Sequence, residues 1–192
     1  MKFRTAVESD FDRVLSFGSN DPINWPGTDR HRAGIADGSW RLSLTWLAVD
    51  GDTVVAMARF WAPVGHDSPE SLDGLYVDES VPDRAALASE LLGLAHKEFG
   101  KNPEYHMFLP ANWSDNAAVS EAVAWRREAL AKTGMTEELE RRRFKWTPDA
   151  GVPEPDPRLE FRPADDETFV DAFVRVSHGS LDVGTAKGIA EL

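Results

Sequence analysis

The segment LYVDESVPDRAALASELL, residues 75–92, has the residue types and spacing of a phosphate-binding turn. A predicted strand ends, a turn with Pro82 follows, and a helix begins with Arg84 and three nearby alanines. The first N–H groups of a helix lack partners and carry partial positive charge, so they can hold a phosphate or pyrophosphate without a basic side chain. Alanine leaves that backbone open, but it also suits an ordinary strand-to-helix connection because its helix propensity is high.

The elements that position this turn are predicted from hydrophobic periodicity and turn residues. We predict strands at residues 2–7, 42–49, 53–63, 71–77, 105–109 and 138–146. We predict helices at residues 11–18, 29–36, 84–99 and 116–132. Asp50-Gly51-Asp52 marks a hairpin turn, and Gly100 marks the end of a helix. This order predicts an α+β fold, with a mixed, mostly antiparallel sheet of about six or seven strands flanked by helices.

Composition narrows the classes of partner. The chain of 192 residues carries a formal net charge of −12, which repels a phosphate backbone and argues against nucleic-acid binding. It contains no cysteine, which excludes disulfides and thiolate sites and is typical of a cytoplasmic protein. No apolar run reaches the length of a membrane span, and the five histidines are too isolated to predict a metal site.

The chain contains a short internal sequence repeat, whose second copy is called the echo. KFRTAVESDF begins at residue 2 and EFRPADDETF at residue 160, and the two align at three positions before a shared phenylalanine, Phe11 and Phe169. The intervening residues TPDAGVPEPDPR hold four prolines. We therefore predict a domain at residues 1–147, a proline-rich linker at 148–158, and at 159–192 the first strand and helices of an incomplete second copy. Such a segment cannot form its own core, so it should continue in a longer protein or dock on the first domain or a neighbouring chain, as in a homodimer.

The order of elements over residues 1–147 resembles the GNAT N-acetyltransferase superfamily, with its layered α/β/α fold, and the echo resembles a tandem protein of that family. The resemblance implies acetyl-CoA as the cofactor. In that family a strand pairs its backbone with the pantetheine arm, and the next turn takes the pyrophosphate. Carried over by position, the resemblance implies cofactor-binding roles for Leu75, Tyr76, Val77, Arg84, Ala85, Ala86, Ala88 and Asn116.

Four positions depart from the family pattern. Asp83 stands where glutamine or arginine is expected, alanines at 86 and 88 stand where glycine is usual, and Leu130 stands where a tyrosine often protonates the leaving thiolate. The resemblance implies an acyl-CoA-dependent N-acetyltransferase acting on an amine of a small molecule or peptide. The first alternative is a catalytically degenerate domain with a structural, regulatory or dimerisation role, in which case catalysis resides in a C-terminal copy. The second alternative is a dimerising module unrelated to CoA.

Acetyl transfer to an amine also requires a group that removes the amine's proton. Glu70 and Asp73, on or near the third strand of the antiparallel run, are the candidate carboxylates, and a bulge N–H near Val77 is the expected oxyanion donor. Trp25 and Trp40 lie where the family covers the acceptor, so we predict a substrate pocket there. The carboxylates could instead be solvent-facing strand residues, and the tryptophans core anchors.

Overall fold

The computed structural model describes residues 1–23, 27–160 and 162–179 of the chain. It divides into two compact units, Met1–Leu139 and Glu140–Leu192. The helices and strands of the first unit are β1 Lys2–Thr5, α1 Phe11–Ser16, α2 Thr28–Asp37, β2 Trp40–Asp50, β3 Thr53–Trp61, β4 Ser71–Val77, α3 Arg84–Phe99, β5 Glu104–Tyr105 and α4 Ala117–Lys132. In the second unit, α5 spans Asp166–Ser177, and the predicted linker at 148–158 also falls within this unit.

The five strands form one sheet in the order β1-β2-β3-β4-β5. The first three pairings are antiparallel, and β4 pairs with β5 in parallel. This confirms the predicted α+β class with a mixed, mostly antiparallel sheet. The predicted count of six or seven strands is wrong for the described part of the chain, which contains five.

Helices cover both faces of the sheet. On one face α3 packs Leu91 and Ala95 against small strand residues such as Ala56 and Ala58, all fully buried. On the other face α1 packs Val14 into a second cluster with strand residues of β2, β3 and β4. Small strand residues let a helix approach closely, and each buried leucine contributes about 2 kcal/mol relative to exposure. The sheet is therefore the middle layer of three.

The strand predicted at residues 138–146 is absent, since these residues form no regular structure and their side chains are exposed. Sequence alternation alone does not make a strand, because the hydrogen-bond ladder needs a partner strand. The strand predicted at 105–109 is shortened to Glu104–Tyr105. At the echo, residues 162–165 form no strand, and Phe161 and residues 180–192 lie outside the described part.

No helix in the described ranges has the length and hydropathy that a membrane crossing requires. Within the same ranges, no group of three or more histidine, aspartate or glutamate side chains is placed to hold a metal ion.

The start of α1 is held by a buried carboxylate. Asp10, whose side chain is 3% exposed, accepts hydrogen bonds from Arg4 at 2.6 and 2.9 Å. It also accepts one from the Val7 amide at 2.9 Å. These contacts, above all the hydrogen bond from Arg4, hold the pKa of Asp10 below its ordinary value. Their stabilisation is thus present above the unfolded pKa of about 4 and is lost as pH falls through the lowered value.

We expect Asp10→Asn to lower the free energy of unfolding by about 2 kcal/mol at neutral pH, because hydrogen bonds to a charged group are lost. Urea denaturation measures the change, with Asp12→Asn on the exposed side of α1 as the matched control. Between pH 6 and pH 3, by the ordinary titration range of aspartate, the wild type should lose more stability than the variant. Equal pH dependence in the two proteins would contradict this assignment.

Candidate functional site

One edge of β4 is left without a neighbouring strand over most of its length. β4 and β5 pair only at Ser71 with Glu104 and at Leu72 with Tyr105. Past that point, no described strand pairs with this side of β4. We call residues 73–77 on this side the open edge. Beyond this short parallel contact there is a gap in the strand pairing of β4, although residues 74–77 themselves are buried.

The gap begins at a β-bulge. Arg59 of β3 is opposite Gly74, whereas the next residue, Phe60, is opposite Leu72, so Asp73 is the extra residue. A bulge bends its strand and increases the local twist. The bulge expected near Val77 therefore lies at Asp73 instead, because the register is set by the pairing with β3, which the sequence alone does not show.

The main-chain groups of β4 alternate between β3 and the open edge. The Leu75 carbonyl reaches α4 on the open side, whereas the Asp78 amide donates to Val55 of β3 at 2.9 Å. By this alternation the N–H and C=O groups of Leu75 and Val77 face the side without a strand partner, while those of Tyr76 face β3. Of the three residues predicted to pair with pantetheine, two have main-chain groups on the open edge.

A buried arginine already occupies this edge. Arg126 of α4 is fully buried, and its Nε and Nη2 donate to the Leu75 carbonyl at 3.1 and 2.8 Å. Its Nη1 donates to the Ala122 carbonyl at 3.0 Å, and the guanidinium carbon lies 4.2 Å from the centre of the Trp125 ring. The guanidinium therefore satisfies an acceptor of β4 that a neighbouring strand would otherwise use.

The charge of Arg126 is balanced by Asp21, in the segment between α1 and α2. Their side chains form an ion pair at 2.8 Å, and the Asp21 side chain is 11% exposed. Asp21 also accepts a hydrogen bond from the Ile23 amide at 2.8 Å. Burial raises the pKa of Tyr105 to about 12, although the charge of Arg126 opposes the rise. Helix α4, strand β4 and the loop residue Asp21 therefore meet at the Arg126 guanidinium.

The predicted phosphate-binding turn is also engaged within the chain. The Asp83 carboxylate caps α3 by accepting a hydrogen bond from the Ala86 amide at 2.8 Å. Arg84 pairs with Glu121 and lies 5.7 Å from the Trp125 ring centre.

The other predicted cofactor contacts have structural partners too. The side chains of Ala85 and Ala88 are buried in the core beneath α3. Asn116 caps α4 by accepting from the amides of Ala118 and Val119, at 3.1 and 3.3 Å. A ligand at these helix ends would have to compete with the caps.

A second group of polar residues lies on the sheet face covered by α1 and α2. Asp73 accepts hydrogen bonds from Trp40 Nε1 at 3.2 Å and from the Ser71 hydroxyl at 2.6 Å. The structure thus brings together two of the predicted site residues, Asp73 and Trp40. Glu70 is exposed and stands outside this contact, and Trp25 lies outside the described residues.

Next to this pair, His31 and Arg59 are both buried. Arg59 donates from Nη1 to His31 Nδ1 at 3.0 Å and from Nη2 to the Tyr76 hydroxyl at 3.1 Å. Desolvation, followed by the charge of Arg59, lowers the pKa of His31 to about 3. The ring is therefore neutral at physiological pH, and because Nδ1 accepts from Arg59, its proton is on Nε2.

Sequence reasoning missed Arg126 and Asp21. A signal for Arg126 did exist, because it lies on the α4 face that carries the buried residues Ala122, Ala129 and Leu130. A charged residue on an apolar helix stripe needs a buried partner. Asp21 lies in a loop, where no local pattern distinguishes it from a solvent-facing acid.

No protein-family model matches the chain, and no curated protein matches its sequence. Among solved structures, the aminoglycoside antibiotic 6'-N-acetyltransferase AAC(6')-IG from Acinetobacter haemolyticus is similar with 17% identity and a TM-score of 0.48, over 77% of this chain and 99% of that one. An aminoglycoside acetyltransferase from an uncultured soil metagenomic sample, in complex with sisomicin, has 14% identity and a TM-score of 0.46, over 76% and 95%. AAC(6')-Iy, in complex with a CoA bisubstrate analog, has 18% identity and a TM-score of 0.45, over 76% and 97%. Similarities this distant do not identify a reaction or a substrate, so both have to be argued from the geometry of the site.

Proposed function

We propose that the chain is an acyl-CoA-dependent N-acetyltransferase domain, which transfers an acetyl group from acetyl-CoA to an amine of a small molecule or peptide. The observation that supports this function is the open edge of β4. There the main-chain donors and acceptors of Leu75 and Val77 are on the side that has no strand partner, and this unpaired stretch begins at a bulge. An extended chain with amide groups, such as the pantetheine arm, can pair with such an edge as a strand does.

The acceptor amine would bind on the sheet face that carries Asp73. An ammonium must lose a proton before it can attack, and a positioned carboxylate is a suitable general base. Asp73 is oriented by the Trp40 indole and the Ser71 hydroxyl, which makes it a better candidate than the exposed Glu70. Trp40 would form one wall of the acceptor pocket.

In the conformation described, the residues present do not accommodate acetyl-CoA. The Leu75 carbonyl is occupied by Arg126, and the Ala86 amide is occupied by Asp83. Both contacts would have to break before the pantetheine arm and the pyrophosphate could take the places that the family resemblance implies.

The second candidate function is a catalytically degenerate domain with a structural, regulatory or dimerisation role, catalysis residing in a C-terminal copy. Asp83 favours this function, because its carboxylate both caps the helix and repels a pyrophosphate at the same point. Leu130, buried in the core, offers no proton to a leaving thiolate.

Calorimetric titration of the full chain with acetyl-CoA separates the two candidates. We expect micromolar binding that Asp83→Gln tightens about tenfold, because the amide of Ala86 is released and a repelling charge is removed. Arg84→Glu should weaken binding, and Glu79→Gln, an exposed residue of the preceding turn, is the control for the charge change. Absence of heat at millimolar acetyl-CoA for the wild type, Asp83→Gln and the folded variant without Arg126 described below would overturn the first function and leave the second.

A further inference from the structure

We propose that Arg126 determines whether the open edge of β4 admits a pantetheine-bearing ligand, because its guanidinium is an internal substitute for that ligand. This inference rests on the proposed acyl-CoA function and names the residue that controls its site. Arg126, its ion-pair partner Asp21 and the Leu75 carbonyl are together called the arginine latch.

The first argument is the saturation of one acceptor. A carbonyl oxygen has two lone pairs, and Arg126 supplies two donors to the Leu75 oxygen. An amide N–H arriving along the open edge would need the same oxygen. Ligand and guanidinium are therefore mutually exclusive at this position.

The second argument is the enclosure of the guanidinium. Arg126 is fully buried, and it is held from three sides by Asp21, the Ala122 carbonyl and the Trp125 ring. A buried charge cannot leave its partner behind without a large desolvation penalty. To clear the edge, the Arg126 side chain must therefore move together with Asp21 and the described residues that precede it after α1.

The third argument is the position of Asp21 in the chain. Gly18, three residues before Asp21, lies against the Tyr76 ring, since a Cβ there would be 2.5 Å from Tyr76 Cδ1. The Tyr76 hydroxyl accepts from Arg59, which also donates to His31. Opening the arginine latch for a cofactor would thus rearrange the side of the sheet on which the acceptor is proposed to bind. Cofactor entry and the acceptor side are coupled through one ion pair.

The test removes the latch without changing net charge. The variant Asp21→Asn with Arg126→Met replaces both charges, and the side-chain oxygen of the asparagine introduced by Asp21→Asn can still accept from the Ile23 amide. The matched control is Arg127→Met with Glu138→Gln, which removes an exposed ion pair one residue further along α4. Each variant of the 192-residue chain is titrated with CoA and with adenosine 3′,5′-bisphosphate, which lacks the pantetheine arm.

We expect the latch variant to bind CoA at least about tenfold more tightly than the wild type, with the control within about twofold and the bisphosphate unaffected. Equal CoA affinity in the wild type and the latch variant overturns the latch and leaves the acyl-CoA function standing. Equal tightening for the bisphosphate also overturns the latch, since the effect would not involve pantetheine. Failure of every folded protein to bind CoA overturns the acyl-CoA function and the latch with it.

A measurement on the wild type alone keeps the proposal testable if the variant does not fold. In a nitrogen-15 spectrum, the Arg126 Nε–H should exchange slowly with solvent, because it is buried and donates to Leu75. Saturating CoA should abolish that protection. CoA binding that leaves the Arg126 signal unchanged overturns the latch.

Discussion

Arg126→Met alone should lower the free energy of unfolding by about 3–5 kcal/mol, the largest stability effect expected of any variant here. The methionine fills much of the same volume but supplies no donor. It leaves the Asp21 carboxylate, 11% exposed, without its cation, and the Leu75 carbonyl without the two donors from Arg126. Removing one partner of a buried ion pair is costly because the remaining charge stays desolvated.

Urea denaturation followed by circular dichroism measures this effect. Adding Asp21→Asn to Arg126→Met should restore most of the lost stability, because no unpaired charge then remains in the interior. Arg127→Met is the matched control and should cost less than about 1 kcal/mol, since its pair with Glu138 is largely solvent-exposed. A single variant as destabilised as the double variant would show that the ion pair contributes little.

Gly34→Ala should destabilise the first unit by about 3 kcal/mol, at the upper end of overpacking costs. A Cβ atom at Gly34 would lie 2.0 Å from Cε3 and 2.6 Å from Cζ3 of the Trp40 ring. The indole cannot absorb this overlap by rotating one bond, because it donates to Asp73 and contacts the His31 ring edge-on at 5.9 Å between centroids. The substitution should therefore displace Trp40 from the candidate base as well.

The same substitution in another helix supplies the control. Gly93 lies on the exposed side of α3, and a Cβ there meets no atom within 4 Å. Gly93→Ala should therefore stabilise the protein by about 0.5–1 kcal/mol, through helix propensity and reduced freedom of the unfolded chain. Urea denaturation of both variants should give changes of opposite sign. A stabilising Gly34→Ala would mean that Trp40 does not pack against α2.

Elements with local signals were predicted well. Helix α3 and strand β4 have the bounds predicted for them, because a proline turn, a helix-ending glycine and unbroken apolar periodicity define them locally. The hairpin turn at Gly51 is likewise present, with a φ of 58° that favours glycine. For these elements the nearest residues in the chain determine the structure.

Features that depend on distant partners were not predicted. Residues 138–146 alternate as a strand does, yet they have no partner strand among the described residues and stay irregular. The bulge at Asp73 depends on the register of β3 against β4, and the burial of Arg126 depends on Asp21 and Leu75, both remote in sequence. Sequence position indicated that Asp73 and Trp40 could matter, but not that they are in contact.

An unpaired strand edge is a template on which another polypeptide can extend the sheet, and such edges are a common origin of aggregation. The open edge of β4 would be of this kind if its main-chain groups were free. A guanidinium at its centre removes the Leu75 acceptor and places a charge where an incoming strand would need an amide. The contact that we propose to exclude a ligand from β4 would therefore also disfavour pairing of this edge with another strand.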